Sequence, residues 1–168
     1  YLRGQGVVKN EKEGVKWYTK AAEQGDVEAQ TMLGHIYKYE LNGVIQDHKV
    51  AVKWYTKAAE QEDARSQLQL AHSYRTGNGI IQNYKTAIKW YTKAAEQGDS
   101  YAQKDLGLMY YRGIGVTKNF VLAHMYTNIA SANGADKAAK IRDLVAKEMT
   151  PPQIAEAQQL ASEWISQH

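Results

Sequence analysis

The sequence contains no cysteine. That removes disulfide staples, thiolate zinc sites and cysteine nucleophiles together. Absence of cysteine fits either redox compartment, so it does not place the protein inside or outside the cell. Phenylalanine occurs once and proline twice in 168 residues, against twelve tyrosines and four tryptophans. No apolar run approaches the roughly 20 residues that a membrane-spanning helix needs, so direct membrane insertion is not expected. The 21 basic and 18 acidic residues leave a formal charge of +3. They are spread without a basic block, and the linear sequence gives no reason to invoke nucleic acid or anionic lipid. Neither an initiator Met nor a signal-peptide pattern opens the chain. Tyr1 already lies partway into a repeated unit, so a fragment or processed product is the expectation.

What the sequence does contain is repetition. The block Trp-Tyr-Thr-Lys-Ala-Ala-Glu-Gln stands at 17–24, 54–61 and 90–97, with starts 37 and 36 residues apart. Identical blocks at such a period mark a linear array of supersecondary units. Hydrophobic residues make up 43% of the chain, enough for a continuous core. Aligned on the tryptophan, residues 1–10 match 74–83 and 110–119, each with a Gly-x-Gly pair. The last copy is eroded, with Tyr126 in place of the tryptophan, but it keeps Ala130 and Gly134.

Each unit holds two helical patterns. The first runs over 26–39, 63–76 and 99–112, with Ala102, Leu106, Met109 and Tyr110 as one apolar stripe. Asp26, Asp63 and Asp99 stand where N-caps are wanted. The second runs over 11–24, 48–61, 84–97 and 120–133, with Ala87, Tyr91, Ala94 and Ala95 as its stripe. Gly98 follows at the C-cap. Glycine tolerates positive φ, so the Gly-x-Gly segments read as sharp turns between helices. Paired alanines permit close helix approach while tryptophan and tyrosine fill the space between layers. Helix pairs of this kind bury their apolar faces only by stacking, which predicts an all-α, right-handed α/α superhelical solenoid of the tetratricopeptide type. Glu62 replaces the helix-ending glycine, and Glu-Leu-Asn-Gly at 40–43 replaces Gly-x-Gly with one residue added. The unit around 37–63 is therefore expected to be the least regular. After Gly134 the pattern changes. Helices over 137–149 and 153–166, the second behind Thr150 and Pro151, read as C-terminal capping helices. The expected division is 1–134 for the repeats, the first truncated at its N-terminus, and 135–168 for the cap.

The run at 87–119 contains Ala-x-x-Trp-Tyr-x-Lys-Ala-Ala-Glu-Gln-Gly-Asp, then Ala-Gln-x-x-Leu-Gly-x-Met-Tyr-x-x-Gly-x-Gly-Val-x-x-Asn. It resembles the Sel-one-like repeat, and the resemblance covers essentially the whole chain. The ending Met-Thr-Pro-Pro-Gln-Ile-Ala-Glu-Ala-Gln is similar to that of bacterial members. What the resemblance implies is a scaffold or adaptor role in protein assemblies, in the bacterial envelope, in secreted form or in eukaryotic membrane-associated complexes. Some cysteine-rich bacterial relatives are credited with penicillin binding or β-lactam hydrolysis. The lack of cysteine here argues against carrying that activity over.

Candidate chemistry is sparse. A phosphate loop needs a strand before its glycines, whereas a helix precedes 77–82. His35 and His72 occupy one repeat position and would sit on adjacent helices, yet no third ligand is specified, so neither a metal nor a cofactor is expected. No serine lies in an elbow motif and there is no His-Glu-x-x-His. The reading is non-catalytic, with a secreted or periplasmic hydrolase and an architectural spacer as the alternatives. The first helices line the concave side of such arrays, and there the copies differ. Those positions read Glu28, Thr31, His35 and Lys38; then Arg65, Leu68, His72 and Arg75; then Tyr101, Lys104, Leu108 and Tyr111. This mixture suits a protein or peptide partner and not nucleic acid.

Overall fold

An aspartate opens each first helix. Asp26, Asp63 and Asp99 accept hydrogen bonds from the backbone N–H groups of Ala29, Ser66 and Ala102 at 2.7, 2.7 and 2.8 Å. The second helices start at Asp47, Asn83 and Asn119, which cap in the same way. The computed structural model describes residues 11–168. Among them lie nine helices and no strand: α1 (Glu11–Glu23), α2 (Val27–Tyr39), α3 (His48–Glu60), α4 (Ala64–Thr76), α5 (Tyr84–Glu96), α6 (Ser100–Arg112), α7 (Phe120–Ala132), α8 (Ala138–Ala146) and α9 (Pro151–Gln167). The turn expected at Gly4 lies outside the described residues. Each helix packs on its chain neighbours from α1 through α8, the contact pattern of an α/α solenoid. α8 and α9 both cover α7. Met125, Ile129 and Ala161 form the core beneath α9, flanked by Leu160 and Trp164.

A buried polar ladder couples the repeats. Gln30, Gln67 and Gln103 donate from Nε2 to the carbonyls of Ala22, Ala59 and Ala95, at 3.0, 3.3 and 3.1 Å. Their Oε1 atoms accept from Gln61, Gln97 and Asn133 at 2.9, 2.9 and 3.0 Å. Each buried amide thus ties its own helix to the helix before it and to the end of the helix after it.

The loop at 40–47 carries the irregularity, and the helices around it do not. All of α1–α7 have 13 residues. The longer loop uses three left-handed residues, Glu40, Asn42 and Gly43, where the equivalent turns use two glycines. Asp47 N–H still bonds the Tyr37 carbonyl at 2.9 Å, as Asn83 does to Tyr74 and Asn119 to Tyr110. Glu62 takes φ 67°, the conformation of Gly25 and Gly98. A Cβ at those two glycines would meet nothing within 4 Å, so the cost of a side chain there is conformational and not steric. Gly79 is different: a Cβ would run into the backbone carbonyl of His48, so close approach of two repeats demands glycine there.

The three identical tryptophans have three environments. Trp54 is 7% exposed and packs on Ala22, Leu33 and Ile36. Trp90 is half-buried, whereas Trp17 is 63% exposed. Trp54 is covered largely by α2 of its own repeat. Trp54→Ala is expected to cost about 3–5 kcal/mol in urea unfolding, and Trp90→Ala, at a half-buried ring, to cost less. Equal effects would refute this assignment. Glu62→Gly removes a left-handed non-glycine residue and should raise stability by about 1 kcal/mol; an unchanged urea midpoint would show that Glu62 bears no strain.

Candidate functional site

The first helices α2, α4 and α6 carry the twelve candidate side chains, and the structure divides them. Leu68 belongs to a core cluster with Ala71, Tyr91 and Leu106. Thr31 is also buried: its hydroxyl contacts Asp63 Oδ1 at 3.1 Å and Ser66 Oγ at 2.8 Å, which fastens α2 to the capped start of α4. Both side chains are largely taken up by packing between repeats. Glu28, Arg65 and Tyr101 are exposed. His35, Lys38, His72, Arg75, Lys104, Leu108 and Tyr111 are half-buried along the same helices.

Clefts open between successive first helices. One of about 380 Å³ lies between α2 and the start of α4, lined by Glu28, Met32, His35, Asp63 and Arg65. A second, about 170 Å³, lies toward the other end of the same pair, beside Lys38, Tyr55, His72 and Thr76. A third, about 100 Å³, joins α4 to α6 between Arg75, Asp105, Leu108 and Arg112.

His35 and His72 do not meet each other. Each packs edge-on against the tyrosine of the following second helix, Tyr55 or Tyr91, with centroids 5.5 Å apart. The hydroxyl of Tyr55 bonds His35 Nδ1 at 3.1 Å. One repeat later the same pair is drawn into a larger network. Arg75 Nε donates to the Tyr91 hydroxyl at 3.0 Å, and Arg75 Nη2 lies 3.4 Å from His72 Nδ1. His72 Nε2 lies 3.1 Å from Asp105 Oδ2 on α6. The His72 ring thus lies between the Arg75 guanidinium at Nδ1 and the Asp105 carboxylate at Nε2. Four side chains from three helices thereby hold one another in fixed positions. Arg75 keeps guanidinium donors beyond those directed at Tyr91 and His72. Lys38 plays the bridging part in the other cleft, donating to Gln69 on α4 and resting over the Tyr39 ring.

Burial pushes the Tyr55 and Tyr91 phenols well above their ordinary range, with Asp105 adding to the rise at Tyr91. Burial, then Lys38 and Arg65, lowers His35 below 6.5, with Asp63 opposing. His124 on α7 is lowered likewise by burial and by Arg142, with Asp143 opposing. Its Nδ1 is buried without a hydrogen-bond partner. Among the described residues no group of three or more His, Asp or Glu could hold a metal ion.

Of the side chains that shape these clefts, Tyr55, Asp63, Gln69, Tyr91, Asp105 and Arg112 were not among the candidates. Tyr55 and Tyr91 lie within the identical block and read as packing. Asp105 and Arg112 fall at positions with no repeated pattern, and nothing short of the helix stacking brings them to His72 and Arg75.

The Sel1 repeat family model matches residues 1–26, 27–63, 64–99 and 100–134. The chain belongs to the Sel1 repeat family. Members of this family usually serve as protein–protein interaction scaffolds and are generally non-catalytic. Among solved structures, a Sel1 repeat protein from Oxalobacter formigenes is 36% identical with a TM-score of 0.80, over 96% of this chain and 66% of that one. The c5321 protein of uropathogenic Escherichia coli, a protective antigen with an SLR fold, is 29% identical with a TM-score of 0.60. That match covers 96% of this chain and 42% of the antigen, so the chain spans less than half of its length. Helicobacter pylori cysteine rich protein B is 26% identical with a TM-score of 0.61, over 82% of this chain and 99% of that one. No curated protein matches the chain.

A histidine held below its ordinary value stays neutral in the folded chain while the unfolded chain takes up a proton. Stability is therefore fully present above about pH 6.5 and declines as pH falls from there toward the lowered values of His35 and His124. Urea midpoints measured between pH 8 and 5 should show this decline, and His124→Leu should flatten it. A decline of the same slope in the variant would remove His124 from the account.

Proposed function

We propose that this Sel1 repeat chain is a non-catalytic adaptor that binds a peptide or protein segment along the concave side of α2, α4 and α6. The observation carrying this reading is the contrast between positions within one chain. The buried ladder residues Gln30, Gln67 and Gln103 recur unchanged, while cleft positions change from Glu28 to Arg65 to Tyr101 and from Lys38 to Arg75 to Tyr111. Packing demands sameness, and a surface that reads a sequence demands difference. The fixed Arg75–His72–Asp105–Tyr91 network adds preorganisation, which lowers the ordering cost of binding. A hydrolase is less well supported, because Ser73, the hydroxyl adjoining His72 in the chain, donates to the Gln69 carbonyl at 3.0 Å.

Arg65, Tyr101 and Lys104 are exposed or half-buried and lie outside the core clusters, so they can be changed together without disturbing packing. The triple variant Arg65→Glu, Tyr101→Ser, Lys104→Glu should retain its helical circular dichroism. It should lose at least tenfold in affinity for a partner isolated by affinity capture on the purified chain. Undiminished binding by the triple variant would move the binding surface off the concave side.

A further inference from the structure

The second helices assemble something that the linear sequence scatters. Lys49, Lys53 and Lys57 on α3 recur as Lys85, Lys89 and Lys93 on α5, and all six are exposed. A spacing of four residues sets each trio in a column on one helix face, with steps of about 6 Å. Residues 48–59 and 84–95 contain no Asp or Glu. Among the described residues none of the six lysines is in an ion pair. The Asp47 carboxylate, at the foot of one column, accepts from the Lys49 and Val50 amides. Lys57 and Lys93 lie over Trp54 and Trp90, at 4.9 and 5.1 Å from the ring centroids, as Lys20 lies over Trp17 at 4.9 Å. The rings orient these ammonium groups at the surface and are shielded by them. The basic face stops at α7, where the equivalent positions are Val121, Met125 and Ile129.

At the foot of each column stands a bare aliphatic side chain. Ile45 and Ile81 are 83% and 88% exposed, in equivalent loops, four residues before Lys49 and Lys85. Loop tips that hold branched apolar side chains in water, next to unpaired lysines, combine the two forces of interfacial membrane binding. Apolar groups enter the headgroup boundary and ammonium groups meet lipid phosphates. A nucleic-acid backbone has use for the lysines but none for the isoleucines, and Trp54 beside the α3 column is buried. No helix among the described residues is long and apolar enough to cross a membrane, so the contact is peripheral.

We infer that the lysine columns of α3 and α5, with Ile45 and Ile81 at their feet, form a docking face for an anionic lipid bilayer. This face is separate from the concave side and does not depend on the adaptor reading. The test is sedimentation with phosphatidylcholine vesicles, with and without about one-third phosphatidylglycerol, at roughly 50 mM salt where charge attraction is little screened. Binding is expected only to the anionic vesicles and should fall steeply as salt is raised. Lys53→Glu with Lys89→Glu should weaken it at least tenfold, and Ile45→Ser with Ile81→Ser at least threefold. All four sites are exposed, and thermal unfolding of each double variant confirms that it folds. Failure to bind anionic vesicles, or binding indifferent to the lysine pair, overturns the proposal. So does a duplex oligonucleotide that binds as tightly as the vesicles and is unaffected by the isoleucine pair.

Discussion

The glutamine ladder is the constraint on which the rest of the stack depends. A buried amide must find both a donor's and an acceptor's partner, because leaving either unmade costs about 1–3 kcal/mol. Gln67 meets both needs only when the Ala59 carbonyl and the Gln97 side chain stand at fixed positions around it. Apolar packing alone would tolerate small rotations of one helix against the next. The amide fixes the phase instead, and it does so with the same geometry in three successive interfaces. A leucine would remove the directionality, and a glutamate would lack the donor for the carbonyl. Ala22, Ala59 and Ala95 belong to the same device, since their small side chains let the amide reach the helix backbone.

Once the phase is fixed, the positions beside the ladder acquire their roles. Thr31 follows Gln30 and Leu68 follows Gln67, so both are drawn toward the packed interface. Lys104 follows Gln103 and remains half-buried, because its long stem runs out along the Tyr101 ring. One repeat position therefore yields a hydrogen-bonded, an apolar and a charged solution to the same place in the stack. The histidine position diverges in the same manner. His35 bonds Tyr55 and stacks on Tyr39, whereas His72 is shared with Arg75 and Asp105, because α6 offers a carboxylate where α4 offers Gln69.

What could be read from the chain was whatever is periodic within it. The aspartate caps and the apolar stripes placed α1–α7 to within about a residue or two at each end, because caps and stripes are local properties. The loop at 40–47 and Glu62 were flagged as departures from a glycine pattern. Their outcome was not legible, since a left-handed glutamate is permitted wherever no atom lies near its Cβ, and that depends on the neighbours. The environments of Trp17, Trp54 and Trp90 were equally hidden, as identical octapeptides carry no record of what covers them. The burial of Thr31 and Leu68, and the arrival of Asp105 at His72, arise from contacts between repeats at separations of about 30 residues. Phase along a single helix does not contain them.

The outer lysines show the same limit from the opposite side. A residue every fourth place on one helix, repeated 36 residues later, never forms a cluster in one dimension, and the net charge of +3 gives no hint of it. The solenoid converts that double period into a two-dimensional array, as it converts the double period of alanine into a core. Sameness on the outside is not needed for packing, because these ammonium groups are exposed and the stack would hold with other long polar side chains. Identical charges in equivalent places suit a partner that is itself uniform along the stack, such as a field of lipid phosphates. The varied side chains of α2, α4 and α6 suit the reverse, a partner whose successive residues differ. One repeat thus presents a regular face and an irregular face on opposite helices, and the buried glutamine between them keeps the two in register.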